Sequence, residues 1–163
     1  MNEKIRSISA IWKSDNMMPV EKCTEKVLNF LMILSDYEKD LFGTWYEKGN
    51  SKKEALEKKV ELNKDYIRKA LEENWDKKFN DLGARISFWS GNADDTKSSE
   101  ISFRVGAFGD KSFNKNSCVI TLPQEYQSCK SERISSDLID LMKEYWSPDK
   151  MLINGEIIED TIT

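Results

Sequence analysis

The sequence predicts an α+β domain in which an antiparallel sheet of about four or five strands, an N-terminal strand plus a central three-stranded meander, packs against helices. Three observations carry this reading. Between Gly83 and Pro123 three β-branched, aromatic and apolar runs, at 84–90, 101–108 and 118–122, are separated by Gly, Asn, Asp and Ser clusters, as in a meander. In the middle run Ile101, Phe103, Val105 and Ala107 alternate with Ser102, Arg104 and Gly106, so one face meets a core and the other meets water or a partner. Both flanks of the meander carry apolar residues at helical spacing, and those helices need a sheet to bury their stripes.

Taken in order, residues 4–12 read as a strand with Ile8, Ala10 and Trp12 on one face, and this strand joins the meander. Asp15, Asn16 and Pro19 end it, and Pro19 is suited to the entry of a helix over 20–37, whose stripe is Val20, Cys23, Val27, Leu28, Leu31 and Leu34. Cys23 on that stripe reads as a small buried side chain rather than a nucleophile, since no base is at hand to activate it. Residues 36–50 crowd Leu41, Phe42, Trp45 and Tyr46 into a short helical or turn element closed by Gly49-Asn50. A second helix is expected over 51–59, with Ser51 or Asn50 as N-cap and Glu54 in the capping-box position. A third is expected over 64–81, with Trp75 and Phe79 on its apolar side, ended by Leu82-Gly83. After Pro123 a helix over 131–146 turns Ile134, Leu138, Leu141, Met142 and Tyr145 inward, and 150–158 forms a short strand or a hairpin about Asn154-Gly155.

Nothing in the 163 residues marks an internal repeat or a second domain, so 1–163 reads as one domain. The longest apolar run is 30–34, too short for a membrane span or a signal-peptide core, and the N-terminal residues lack an export pattern; the expectation is a cytoplasmic protein without a membrane partner. Three cysteines without CxxC spacing argue against a disulfide framework or a zinc site. The chain has no histidine, which removes the usual general base, the usual zinc ligand and every Ser-His or Cys-His nucleophile pair.

The net charge of −4 is unevenly spread. Residues 124–163 hold nine acids against four bases, whereas the first 123 residues hold 20 acids and 21 bases. Such a surface repels phosphate backbones and favours basic partners. The basic pairs Lys52-Lys53, Lys58-Lys59 and Lys77-Lys78 each sit beside acids at helical spacing and read as solvated helix faces, so nucleic acid is not an expected partner. Asp94-Asp95 with Glu100 lacks the spacing of a calcium loop and reads as a solvated hairpin tip, and the glycines form neither GxGxxG nor a P-loop. The expectation is therefore no enzyme, no catalytic residue, no metal and no cofactor.

What remains is an aromatic load of five Trp, seven Phe and five Tyr. Aromatic residues beside acids on turns are what protein-binding surfaces use. The order of landmarks adds to this: a first strand ending in Trp12, a helix with Cys23, Phe42-Gly-Thr-Trp45-Tyr46, a strand with Trp89, then FRVGAFG (103–109), NSCVITLP (116–123) and YWSPDK (145–150). Together they resemble the immunity protein 52 family of bacterial polymorphic toxin systems, over nearly the whole chain. The resemblance implies a cytoplasmic protein that binds and neutralises a cognate secreted toxin, a nuclease of the restriction-endonuclease-like class, stoichiometrically and without turnover. The toxin-binding residues expected on this basis are Trp45, Tyr46, Asp94, Asp95, Phe113, Glu156, Glu159 and Asp160. The alternative is a non-enzymatic regulatory or adaptor protein in a larger cytoplasmic assembly.

Overall fold

In the computed structural model, residues 5–47, 52–91, 97–124 and 128–160 are described. The order of elements is β1 (Ser7–Trp12), α1 (Val20–Tyr37), α2 (Lys39–Phe42), β2 (Tyr46–Glu47), α3 (Lys52–Leu56), α4 (Lys64–Asn74), a 3-10 turn (Asn80–Leu82), β3 (Ala84–Trp89), β4 (Glu100–Val105), β5 (Asn116–Thr121), α5 (Ser128–Trp146), β6 (Lys150–Ile153) and β7 (Glu156–Asp160). The strands form one antiparallel sheet in the order β2-β3-β4-β5-β1-β6-β7. The α+β class and the meander stand, with β1 as the strand added to it, but the sheet has seven strands rather than four or five. The strand that was not expected is the two-residue β2, too short to carry an alternation; residues 150–160 take the hairpin alternative, β6–β7, whose Asn154 and Gly155 both have positive φ as a tight two-residue turn requires.

One face of the sheet is covered by helices. Ile8 and Ala10 of β1, Ile86 and Phe88 of β3, Phe103 of β4, Cys118 and Ile120 of β5 and Met151 of β6 are buried there, in one cluster with Cys23, Val27, Leu31 and Leu34 of α1, Ile67 and Leu71 of α4, and Leu138 and Met142 of α5. Phe30, outside the stripe expected of α1, stands at the centre of an aromatic group: it meets Phe103 edge-on at 6.4 Å, Tyr145 at 5.1 Å and Trp146 at 5.3 Å, while Trp146 stacks on Trp12 at 4.7 Å. These rings tie α1, α5, β1 and β4 to one point. Polar clasps add to them, Tyr37 Oη donating to Asp137 at 2.5 Å and Tyr145 Oη to the Lys26 carbonyl at 2.5 Å.

Two helices differ from expectation. The third ends at Asn74, not 81, because polar side chains offer the backbone other partners. Asp76 Oδ1 accepts from the amides of Lys78 and Phe79 at 2.9 and 2.7 Å, Trp75 bridges to Ala84, and Trp75 Nε1 donates to the Asn80 carbonyl at 3.1 Å. Phe79, expected on an apolar face, is consequently exposed. The helix expected over 51–59 spans only Lys52–Leu56, since the chain leaves it to pair with the aromatic turn: the Val60 amide donates to the Trp45 carbonyl at 2.8 Å and Lys59 bridges to Tyr46. The cap positions proposed for it, Asn50 and Ser51, lie outside the described residues. Both α1 and the alternation of β4 agree with the sequence reading, and α5 begins three residues earlier than expected, at Ser128.

Candidate protein-binding interface

Of the eight residues expected to bind a toxin, those that are described do not gather on one surface. Trp45 is 1% exposed and lies parallel to Phe42 at 6.2 Å, so it is a core residue and not a surface anchor; the turn that holds it folds inward because α2 and Val60 close over it. Tyr46 is half-buried and pairs with Trp89, and its ring lies so close over Gly91 that a Cβ there would come within 2.2 Å of it. Asp94 and Asp95 lie outside the described residues. Phe113 is 57% exposed as expected, on a loop held firmly: Asn116 bonds Ala107 through both its side-chain atoms, and Asn114 donates to Asp81 at 2.7 Å and to the Phe108 carbonyl at 3.0 Å. The Lys111 ammonium stands 5.8 Å from the Phe113 ring.

Glu156, Glu159 and Asp160 all fall on β7, the last strand of the sheet; Glu156 is exposed, and for the other two the strand backbone alone is described. β2 and β7 are the two ends of a seven-stranded order, roughly 29 Å apart at about 4.8 Å per strand, so the aromatic turn and the acidic strand cannot belong to one contact patch. What the sequence reading missed on β7 is its apolar component. Ile157 and Ile158 are 55% and 48% exposed at a strand with only β6 as neighbour among the described residues, and a register shift between Met151 and Leu152 bulges the pairing beside them. An edge strand with exposed isoleucines and acids is a template for main-chain pairing along its open side, the acids discouraging a second identical strand.

The second surface is the sheet face opposite the helix-covered one, which no helix among the described residues covers. Cross-strand register sets several rows on it, one of them Trp89, Glu100, Thr121 and Ser7, and two others hold or adjoin the arginines. One of these two runs Arg85, Arg104, Ser117, Ile11, Lys150, Asp160, and the next runs Ser87, Ser102, Val119, Ser9, Leu152, Ile157. Arg85 and Arg104 are direct partners, an unfavourable placement of like charges. Burial and the neighbouring Arg85 charge pull the Arg104 pKa below its ordinary value, and its Nε donates to the Leu82 carbonyl at 3.3 Å. With Lys115 these arginines rim an open basin of about 410 Å³ floored by Ser102 and Ser117. The alternation of the meander had placed Arg104 on the face away from the core; its pairing with Arg85 depends on register, which the sequence pattern leaves open.

A scan of protein-family models and a search of curated proteins both give no match to this chain.

The chemistry available among the described residues is limited. No group of three or more acids, cysteines or histidines is placed to hold a metal ion. Cys23 and Cys118 are buried free thiols; burial pushes Cys23 up to about 11 and Cys118 well above its ordinary value, which keeps both protonated and unreactive near neutral pH. A further apolar groove of about 490 Å³, lined by Met17, Met18, Trp75 and Asn80, lies where the shortened α4 meets the loop before α1. No helix among the described residues is long and apolar enough to cross a membrane.

Proposed function

We propose that this protein is a cytoplasmic immunity protein that binds and neutralises a cognate secreted toxin, a nuclease of the restriction-endonuclease-like class, by stoichiometric contact without turnover. The observation that carries the reading is β7: an acidic edge strand, paired on one side with β6 and with no second strand beside it among the described residues, carrying two exposed isoleucines. Main-chain pairing with an extended segment of the toxin supplies affinity, Ile157 and Ile158 supply the apolar anchors, and Glu156 with its neighbours favours a basic segment of the sort that lines a nucleic-acid-cutting groove. The buried, protonated thiols and the histidine-free sequence agree with a protein that binds rather than catalyses.

The test is co-expression with the toxin encoded beside its gene, reading survival and complex formation. The chain is expected to rescue growth and to co-purify with the toxin in a fixed ratio. The double variant Ile157→Lys, Ile158→Lys, checked for an unchanged melting temperature, is expected to lose both. No rescue by the unaltered chain removes the function; full rescue by the double variant removes β7 as the contact.

A further inference from the structure

The basin on the open face of the sheet has a chemistry opposite to that of β7. We propose that it is the docking site for an acidic, extended segment of a protein partner, whose carboxylates bridge Arg85, Arg104 and Lys115 while its apolar side chains lie along Val119, Leu152 and Ile157. Its three cations lie apart from the strand edge invoked above, with which it shares Ile157 alone, and it does not rest on the immunity reading.

Three observations point to that occupant. First, Arg85 and Arg104 face each other directly across two strands, and no carboxylate among the described residues lies within ion-pair distance of either, or of Lys115. Elsewhere some surface cations are paired, as Arg68 with Glu72 at 2.8 Å and Lys58 with Glu54 at 3.1 Å. Each guanidinium is a planar fork of donors that suits a carboxylate, and a bound acid turns the repulsion between the two into attraction. Second, the neighbouring row supplies Val119, Leu152 and Ile157, with Ser9 between the first two, so apolar side chains lie beside the cationic row. A segment crossing the strands with alternating acidic and apolar residues matches both rows.

Third, the features that a nucleic acid requires are missing from the basin. Its one aromatic lining residue, Phe103, is 2% exposed, so no ring is offered for base stacking, and the cations form a compact group rather than a track on a chain of net charge −4. Protein carboxylates are the anions that fit.

The experiment is an amide chemical-shift titration of the full chain with an end-blocked peptide of alternating Glu and Leu, about eight residues long and so about 26 Å when extended, enough to cross five strands. A short oligothymidylate serves as the competing polyanion, and a dilution series without peptide reports self-association. The expected result is that peptide shifts the amides of Arg85, Ser102, Arg104, Lys115 and Ser117, with affinity falling about tenfold in Arg85→Glu and in Arg104→Gln, about twofold in Arg85→Lys, and at least several-fold when salt is raised. A peptide that shifts none of these amides, or binds Arg85→Glu as well as the unaltered chain, overturns the proposal. So does tighter binding of oligothymidylate, or the same shifts appearing on concentration alone, which would make the occupant a second copy. A chain that gives no protection against the toxin yet binds the peptide at the basin supports this inference and removes the earlier one.

Discussion

Replacing Arg85 by Glu is expected to stabilise the isolated protein, because it converts a repulsive cross-strand pair into an attractive one. Arg85 and Arg104 are direct partners in the β3–β4 ladder, and Arg104 is half-buried with its Nε held by the Leu82 carbonyl at 3.3 Å, so it cannot swing clear of the opposing charge. Like charges directly opposite one another cost a few tenths of a kcal/mol, and a matched pair returns a similar amount, roughly 0.2–1 kcal/mol each way. Arg85 itself is exposed, so solvent screening limits the combined gain to about 0.5–1 kcal/mol at low salt. For a chain of this length that is a rise of about 1–3 °C in melting temperature. The assay is thermal and urea unfolding at low and high ionic strength, for Arg85→Glu, Arg85→Gln and each combined with Arg104→Gln. Arg85→Gln is expected to show about half the gain. Raising the salt to about 1 M, where the screening length falls to about 3 Å, is expected to erase most of it. In the Arg104→Gln background neither change at position 85 has an effect. A fall in stability with Arg85→Glu, or a gain that ignores both salt and Arg104, refutes the like-charge argument and with it the claim that this face is held in wait for an anion.

Phe30→Ala, which empties a site at 0% exposure among Phe103, Tyr145 and Trp146, is expected to cost about 3–5 kcal/mol in urea unfolding, a large part of a stability of about 5–15 kcal/mol; a loss below about 1 kcal/mol would show that those rings do not join the helices to the sheet. Gly106→Ala is expected to cost about 1–3 kcal/mol, because Gly106 has φ of 81° and a Cβ would lie 2.3 Å from the Trp75 ring; unchanged melting would refute that packing. Stability is expected to fall as pH rises above about 9. Cys23 is pushed from 9.0 up to about 11 and Tyr145 from 10.0 up to about 12 by burial, so their contribution is complete below the unfolded values and is lost as the pH climbs through the folded ones. Urea midpoints across pH 7 to 11 check this, and a midpoint that holds or rises above about pH 9 contradicts it.

Much of the fold was legible because its signals are local. The helix α1 and the alternation of β4 follow from residues a turn or a pleat apart, so Val27, Leu31 and Phe103 could be placed inside from the pattern alone. Phe30 could not, since what buries it is the arrival of Trp146 and Phe103 from distant parts of the chain. The overlong third helix failed for a related reason: Trp75 and Phe79 keep helical spacing, yet Asp76 captures two amides and Trp75 pairs with Ala84, choices that spacing does not record. Among the site residues, Phe113 and Glu156 are exposed as expected, whereas Trp45 was drawn to the surface by its neighbouring glycines and turns out to be enclosed. The Arg85–Arg104 pair was out of reach altogether, because a shift of one residue in register would have parted it.

The position of β1 between β5 and β6 has a consequence for how the chain is made. Its first neighbour, β5, lies more than a hundred residues downstream, as the contact from Arg6 to Leu122 with a separation of 116 illustrates, and its second neighbour later still. During synthesis the opening strand therefore waits with both edges bare while the helices and the meander emerge, and it slots into the middle of the sheet only near the end. Such an ordering makes assembly slow and leaves the newborn polypeptide in need of shielding from its neighbours until that last insertion is made.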